Sequence, residues 1–305
     1  MADSEKGLFT SEAMSILPNV KFADLSPTKD VFVSALRFAL SINSPCSPFG
    51  DELQRSAQEQ VDYMLRADAD TSLVITDDEV KSVLKTGLFR TCASFERDLS
   101  SLLLDSDLAS QANEDKILRT LSDLEWICTL LPKMNLMKDF VSNWIEISGN
   151  VLKVIEDEKL NSLMWGLKVK LIEMTNKALE AVGYGTVILP SPYRLSLLKI
   201  WLPYIRKMKP LLDSKCIEET NFHYRMDDEL CMNIEGAIVS MVLALPSNDQ
   251  AGILADWMKA EEIQYPDLTD AFELWCYRTK SAKRRLVEGI GGASSDNGDD
   301  AAISF

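Results

Sequence analysis

The sequence predicts an all-α fold, a globular array of roughly nine to eleven helices. Three observations predict it. Apolar residues recur at i, i+3, i+4 and i+7 through most of the chain, the period of a helix with one buried face. Glycine and proline are scarce, 13 and 11 among 305 residues, too few to punctuate a series of short strands. Capping residues and prolines interrupt the apolar stripes at helix-length intervals.

Residues 1–25 show no sustained period and read as a weakly ordered arm in which Met14, Ile16 and Leu17 could dock one turn. Ser26-Pro27 then fits an N-cap and first helical position, followed by the stripe Phe32, Ala35, Leu36, Ala39 and Leu40. The turn-forming run Asn43 to Gly50 ends that helix, and Leu53, Ala57, Val61, Met64 and Leu65 mark the next. Thr76-Asp77-Asp78-Glu79 has the form of a capping box opening a helix through Val80, Leu84, Leu88, Phe95 and Leu99, with a kink expected at Gly87. Asn113 is read as the N-cap of a helix through Ile117, Leu121, Leu124 and Cys128 that stops at Pro132.

Two longer stripes follow, Leu136 to Ile155 and Leu160 to Val182, joined by the charged Glu156-Asp157-Glu158-Lys159. Between Gly183 and Pro190 the texture changes to glycine and β-branched residues, which reads as an extended segment and a candidate hinge. Ser191-Pro192 restarts a helix expected to be interrupted at Pro203 and stopped by Pro210, with a long loop over residues 213–228. Leu230 to Leu245 is the most apolar helix and is expected to be central. Ser247 to Gln250 reads as a further capping box, and Pro266 as the first turn of a last helix through Phe272, Trp275 and Leu286. This organises the chain as an arm (1–25), an N-terminal helical half (26–182), a C-terminal half packed on it (183–287) and a disordered acidic tail (288–305). One continuous domain is the alternative for the two halves. No period regular enough for a helical repeat protein emerges.

The formal net charge of −15 opposes binding to nucleic acid or to anionic membrane surfaces. No leader-type apolar region opens the sequence, and the longest apolar run, Ala237 to Leu245, is about half a membrane span. The six cysteines, Cys46, Cys92, Cys128, Cys216, Cys231 and Cys276, form no Cys-x-x-Cys pair and have one histidine for company, so they read as reduced thiols. A cytoplasmic or nuclear protein is expected.

No constellation for chemistry emerges. His223 stands in a polar stretch with no Gly-x-Ser-x-Gly elbow, and reads as a surface histidine. A magnesium-dependent all-α enzyme would need an Asp-Asp-x-x-Asp pattern; Asp77-Asp78 and Asp227-Asp228 do not complete it and read as first turns of helices, where carboxylates oppose the helix dipole. Gly183-Tyr184-Gly185-Thr186 lacks the Lys-Ser/Thr of a phosphate loop. The six tryptophans lie on or beside apolar stripes and read as core. The expectation is a protein without catalytic residues, metal or cofactor. Two basic groups remain: Arg206, Lys207 and Lys209, then Arg278, Lys280, Lys283, Arg284 and Arg285. Cations at a helix C-terminus complement its dipole without any partner. The same residues are also the candidate contact patch for an acidic partner, and KSAKRR has the composition of a weak nuclear-import signal.

The segments VGYGTVILPSPYRLSLLKIWLPYIRKMKPLLDS (Val182 to Ser214) and EGAIVSMVLALPSNDQAGILADWMKAEEIQYPDLTDAFELWCYRTKSAKRRL (Glu235 to Leu286) closely resemble the C-terminal helical region of a family of plant BTB/POZ-domain proteins. LMKDFVSNWIEIS (Leu136 to Ser148) and SPFGDELQRSAQEQVDYML (Ser47 to Leu65) are similar to it as well. The resemblance implies a substrate adaptor, in which a BTB domain engages a cullin-3 scaffold and the helical region positions a protein for ubiquitin transfer. It begins near Asp30, so the BTB domain itself is expected to be missing from this chain, and with it the chain's own cullin contact. A stand-alone helical scaffold with an unrelated partner is the other reading.

Overall fold

The computed structural model describes residues 26–41, 50–66, 75–103, 111–160, 162–259 and 265–293. Among them are ten α-helices and two single-turn 3₁₀ helices, with no strand, so the fold is all-α as expected. The arm, Cys46 and residues 294–305 lie outside the described residues.

The first layer is built from α1 (Ser26–Ala39), α2 (Gly50–Met64) and α3 (Asp78–Ser101). Phe32, Leu36, Ala39 and Leu40 of the expected stripe are all buried, and α1 packs on both α2 and α3. The N-cap of α3 is Asp77, one residue beyond the Thr76 of the expected box: its Oδ1 accepts from the amides of Glu79 at 2.8 Å and Val80 at 3.2 Å. A carboxylate suits that place better than a hydroxyl because it also accepts Lys29 from α1 at 2.8 Å. The Lys29 ammonium, together with the amides of the cap, holds the Asp77 carboxyl below its ordinary pKa. α3 runs unbroken through Gly87. A β-carbon there would come within 2.6 Å of Leu40 Cδ1, so the missing side chain lets α1 approach.

Next come α4 (Gln111–Leu130), α5 (Met137–Ile155) and α6 (Trp165–Gly183), with 3₁₀ turns at Pro132–Met134 and Glu158–Leu160 in the connections. Asn113 lies inside α4 rather than at its cap. Asn135 and Met164 take left-handed φ values of 58° and 55° and turn the chain into α5 and α6. Here the tryptophans do what the stripes imply. Trp144 and Trp201 are fully buried and stack at 6.0 Å between ring centroids, with Phe140 and Phe95 against Trp144. Both indole N–H groups are satisfied: Trp201 Nε1 donates to Ser148 Oγ at 2.7 Å and Trp144 Nε1 to Thr175 Oγ1 at 3.2 Å. The two hydroxyls donate in turn to the carbonyls of Trp144 and Leu171. Ser148 and Thr175, which look misplaced on apolar stripes, are there for the tryptophans.

Lys168, 2% exposed, donates to the Leu160 carbonyl at 2.8 Å and lies 4.5 Å from the centre of the Trp165 ring. Burial, reinforced by the Lys207 charge, lowers its pKa to about 8. Between about pH 8 and the ordinary lysine value the unfolded chain binds a proton that the folded chain does not, so this residue's contribution to stability rises with pH across that window. Chemical denaturation of wild type and Lys168→Met from pH 7 to 10.5 is expected to show the wild type gaining relative to the variant as pH rises. A constant difference would contradict the assignment.

α7 (Ser191–Glu218) corrects two expectations at once. The helix runs through Pro203 and Pro210 without ending, and the loop expected from residue 213 begins only after Glu218. A proline inside a helix costs on the order of 3 kcal/mol in isolation. Here both prolines are on the exposed face, while Trp201, Leu202, Tyr204, Ile205, Met208 and Leu212 bury the other face. Tertiary burial outweighs the local defect.

The last elements are α8 (Asp228–Leu243), α9 (Ser247–Met258) and α10 (Thr269–Ala293). Asp227 caps α8, accepting from the Leu230 amide at 2.8 Å, so the second acidic pair is the helix start it was read as. Helix α8 packs most extensively against α6, and Gly183 is the reason: a β-carbon there would lie 2.6 Å from the Ala237 carbonyl oxygen and 2.8 Å from its Cα. The expected box at Ser247 is not one. Gln250 instead turns its amide back to the carbonyls of Leu243 and Leu245, closing the end of α8 onto α9. Pro266 precedes α10 by three residues instead of entering its first turn, and Asp267 accepts from the amide and hydroxyl of Thr269 at the helix start. α10 continues to Ala293, past the break expected at residue 288. The buried apolar side chains from Phe32 to Ala271 form a single cluster.

Candidate protein-interaction surface

Gly183 is the last residue of α6, Tyr184 and Gly185 make a turn with a φ of 79° at Gly185, and the irregular stretch that follows to Pro190 has two different faces, so the extended segment expected from Gly183 is confined to its end. Val187 and Leu189 are buried, and the Val187 amide donates to the Ala181 carbonyl at 2.7 Å. Tyr184, Ile188 and, just beyond, Tyr193 face outward at 58%, 84% and 55% exposure. Burial of alternate residues fixes the strap on the core and presents the others to solvent. The change of texture in the sequence was the only sign of it.

The basic residues divide according to what holds them. Arg206 is buried and donates to the Trp257 carbonyl at 3.0 Å, tying α7 to the end of α9. Burial lowers its pKa, and it serves as a tether inside the fold, not as part of an exposed patch. Lys207 pairs with Glu156 at 3.0 Å, and Lys209 with Asp213 one turn on at 2.7 Å. These three do not form a free basic face. Arg278, on α10, reaches the Leu243 carbonyl at 3.5 Å, a long contact. Lys280, Lys283 and Arg284 are exposed on α10 and carry no ion pair among the described residues. The side chain of Arg285 lies outside the described residues. Tyr277, 72% exposed, shares a helix face with Lys280 and Arg284 at i+3 and i+7. Tyr277 stands outside the basic run in the sequence, and only the helical spacing joins it to the patch.

Helix α10 itself is held firmly at its start. Trp275 Nε1 donates to the carbonyl and hydroxyl of Ser247 at 3.1 and 3.2 Å, and Trp257 Nε1 to the Pro266 carbonyl at 3.0 Å. Phe272 stacks on Trp275. The basic edge therefore continues as a helix from an anchored start.

His223 is exposed in the short loop before α8. No group of three or more His, Cys, Asp or Glu that could hold a metal ion occurs among the described residues. Cys92, Cys128, Cys216, Cys231 and Cys276 are all free thiols, and burial pushes Cys92 up to about 12 and Cys128 upward as well, far from a reactive thiolate. None of the described helices is long and apolar enough to cross a membrane.

The likeness to plant BTB/POZ-domain proteins read from its segments extends along nearly the whole chain. The chain is 42% identical over 293 residues to a BTB/POZ domain-containing protein of Arabidopsis thaliana. The alignment covers 94% of this chain and 65% of that relative, so the chain spans just under two thirds of the relative's length. No family model matches the chain, and no solved structure matches it.

Proposed function

We propose that this chain is a non-enzymatic protein-interaction module, the helical part of a substrate-specific adaptor acting with a cullin-3 RING ubiquitin ligase in protein ubiquitination. The observation that carries this reading is the 42% identity, along nearly the whole chain, to a protein that bears a BTB/POZ domain. The fold supports it: a helical core presents side chains at its surface and, among the described residues, gathers no metal-binding cluster. In this reading the partner is an unidentified ubiquitination substrate with an acidic surface, met by Tyr277, Lys280, Lys283 and Arg284, in the cytoplasm or nucleus of a plant cell. The KSAKRR run supports nuclear import less than its composition suggests, because it lies within the helix α10, which would have to unwind to be read as an extended peptide.

Affinity purification from plant cells of wild type and of Lys280→Glu/Lys283→Glu/Arg284→Glu tests the surface. The three positions are exposed, so the melting curve is expected to be unchanged. Recovery of acidic partner proteins should fall about tenfold or more in the variant, since reversal replaces attraction by repulsion at each site. Equal recovery from both would remove this patch as the contact.

A further inference from the structure

A cleft of about 450 Å³ opens between α2, α3 and α4, and its composition sets it apart from the apolar core beside it. Helix α2 packs on α1, but it meets α4 through polar bridges: Arg119 to Asp51 at 3.0 Å, Gln58 to Asp123 at 3.0 Å and Trp126 to Asp62 at 3.3 Å. Among the described residues that line the cleft none is apolar; the lining is hydroxyl, amide, carboxyl and basic groups.

We propose that this cleft is a binding site for a small polyhydroxylated molecule carrying one anionic group. Four observations select that class. Thr91 and Ser94 of α3 are only 3% and 6% exposed and line the cleft, yet their hydroxyls have no hydrogen-bond partner among the described residues. Uncommitted hydroxyls at the base of a cavity are open to a ligand that both donates and accepts. Beside them Asp123 is held in place by Gln58, and a carboxyl flanked by amides is suited to paired hydroxyls on a ligand. The charges of the lining largely cancel: Lys116 pairs with Asp98 and Arg119 with Asp51, leaving Arg55 as the cation with no ion pair among the described residues. One free guanidinium matches one anionic group, and the three carboxylates disfavour a polyanion. Finally, no aromatic or aliphatic residue lines the cleft, and its apolar surface is only that of the carbon stems of polar residues, which gives an aromatic base or acyl chain less to pack on than the polar groups give a hydroxylated ligand.

A phosphate ester and a carboxylate share the chemistry that the guanidinium recognises, and titration calorimetry on the full chain distinguishes them with glucose 6-phosphate, gluconate, myo-inositol and inorganic phosphate. At least one of the two hydroxylated anions is expected to saturate with a dissociation constant on the order of 1 mM, a weak value fitting an open site with no aromatic or aliphatic residue in its lining. Binding of glucose 6-phosphate alone assigns the phosphate ester, gluconate alone the carboxylate, and both the shared chemistry. Myo-inositol and inorganic phosphate each offer half of the recognition and should bind at least tenfold more weakly. Arg55→Ala, at an exposed position that leaves the fold intact, should weaken the anionic probes about tenfold, and Ser94→Ala several-fold. Absence of saturable binding by both hydroxylated anions, inorganic phosphate binding as well as they do, or binding unaffected by either substitution would each overturn the proposal.

Discussion

Replacing Trp201 by alanine is expected to cost about 3–5 kcal/mol of stability, the largest loss of any single substitution considered for this protein. Trp201 is fully buried and stacks on Trp144, meets Tyr204 edge-on, and anchors α7 to α5. Removing it leaves a cavity too large for the surrounding helices to fill and strips Ser148 of its donor. Trp201→Phe separates the two contributions. It keeps a stacked ring and deletes the N–H, so it should lose an intermediate amount. Denaturant unfolding read from the midpoint at unchanged slope measures both. Equal losses for alanine and phenylalanine would mean that the hydrogen bond, and not the packed ring, is what matters.

Gly183→Ala is the second large effect, and its direction runs against helix propensity. Alanine is the better helix former, and at the end of α6 it should stabilise by intrinsic preference. The new methyl group, however, would sit 2.6 to 3.1 Å from the Ala237 backbone, which cannot rotate away as a side chain can. A loss of about 1–3 kcal/mol is expected, as for overpacking elsewhere in protein cores. Gly87→Ala is the control, because the atoms it meets belong to the flexible Leu40 side chain. It should cost clearly less than Gly183→Ala. The reverse order would show that the contact between α6 and α8 is looser than described.

Much of this architecture is legible in the sequence because it depends on local spacing. The α1 stripe from Phe32 to Leu40, the acidic helix starts at Asp77 and Asp227, and the apolar α8 all follow from period and capping chemistry. The misreadings occur where a distant contact outweighs the local rule. Pro203 and Pro210 look like stops until α7 is seen to bury its opposite face. Gln250 looks like part of a capping box, but its amide is engaged by the end of α8. Gly87 and Gly183 look like breaks and are close contacts. Arg206 reads as a surface cation, and only the Trp257 carbonyl, 51 residues away, explains its burial.

The same reasoning explains the uneven legibility of the two surfaces. The basic edge of α10 lies within one helix, so Lys280, Lys283 and Arg284 could be singled out from their order alone. The polar cleft could not, because Gln58 and Asp123 face one another across 65 residues of sequence. Nothing in either local stretch marks them as a pair.

The measurement that bears most directly on the proposed role is quantitative co-precipitation of cullin-3 with this protein, expressed from its own locus in plant cells in its full natural length. The adaptor reading predicts cullin-3 well above the level in a control lacking the protein, together with ubiquitinated species that accumulate when the proteasome is blocked. Cullin-3 at the control level would contradict the adaptor role and leave a helical module acting outside ubiquitin transfer.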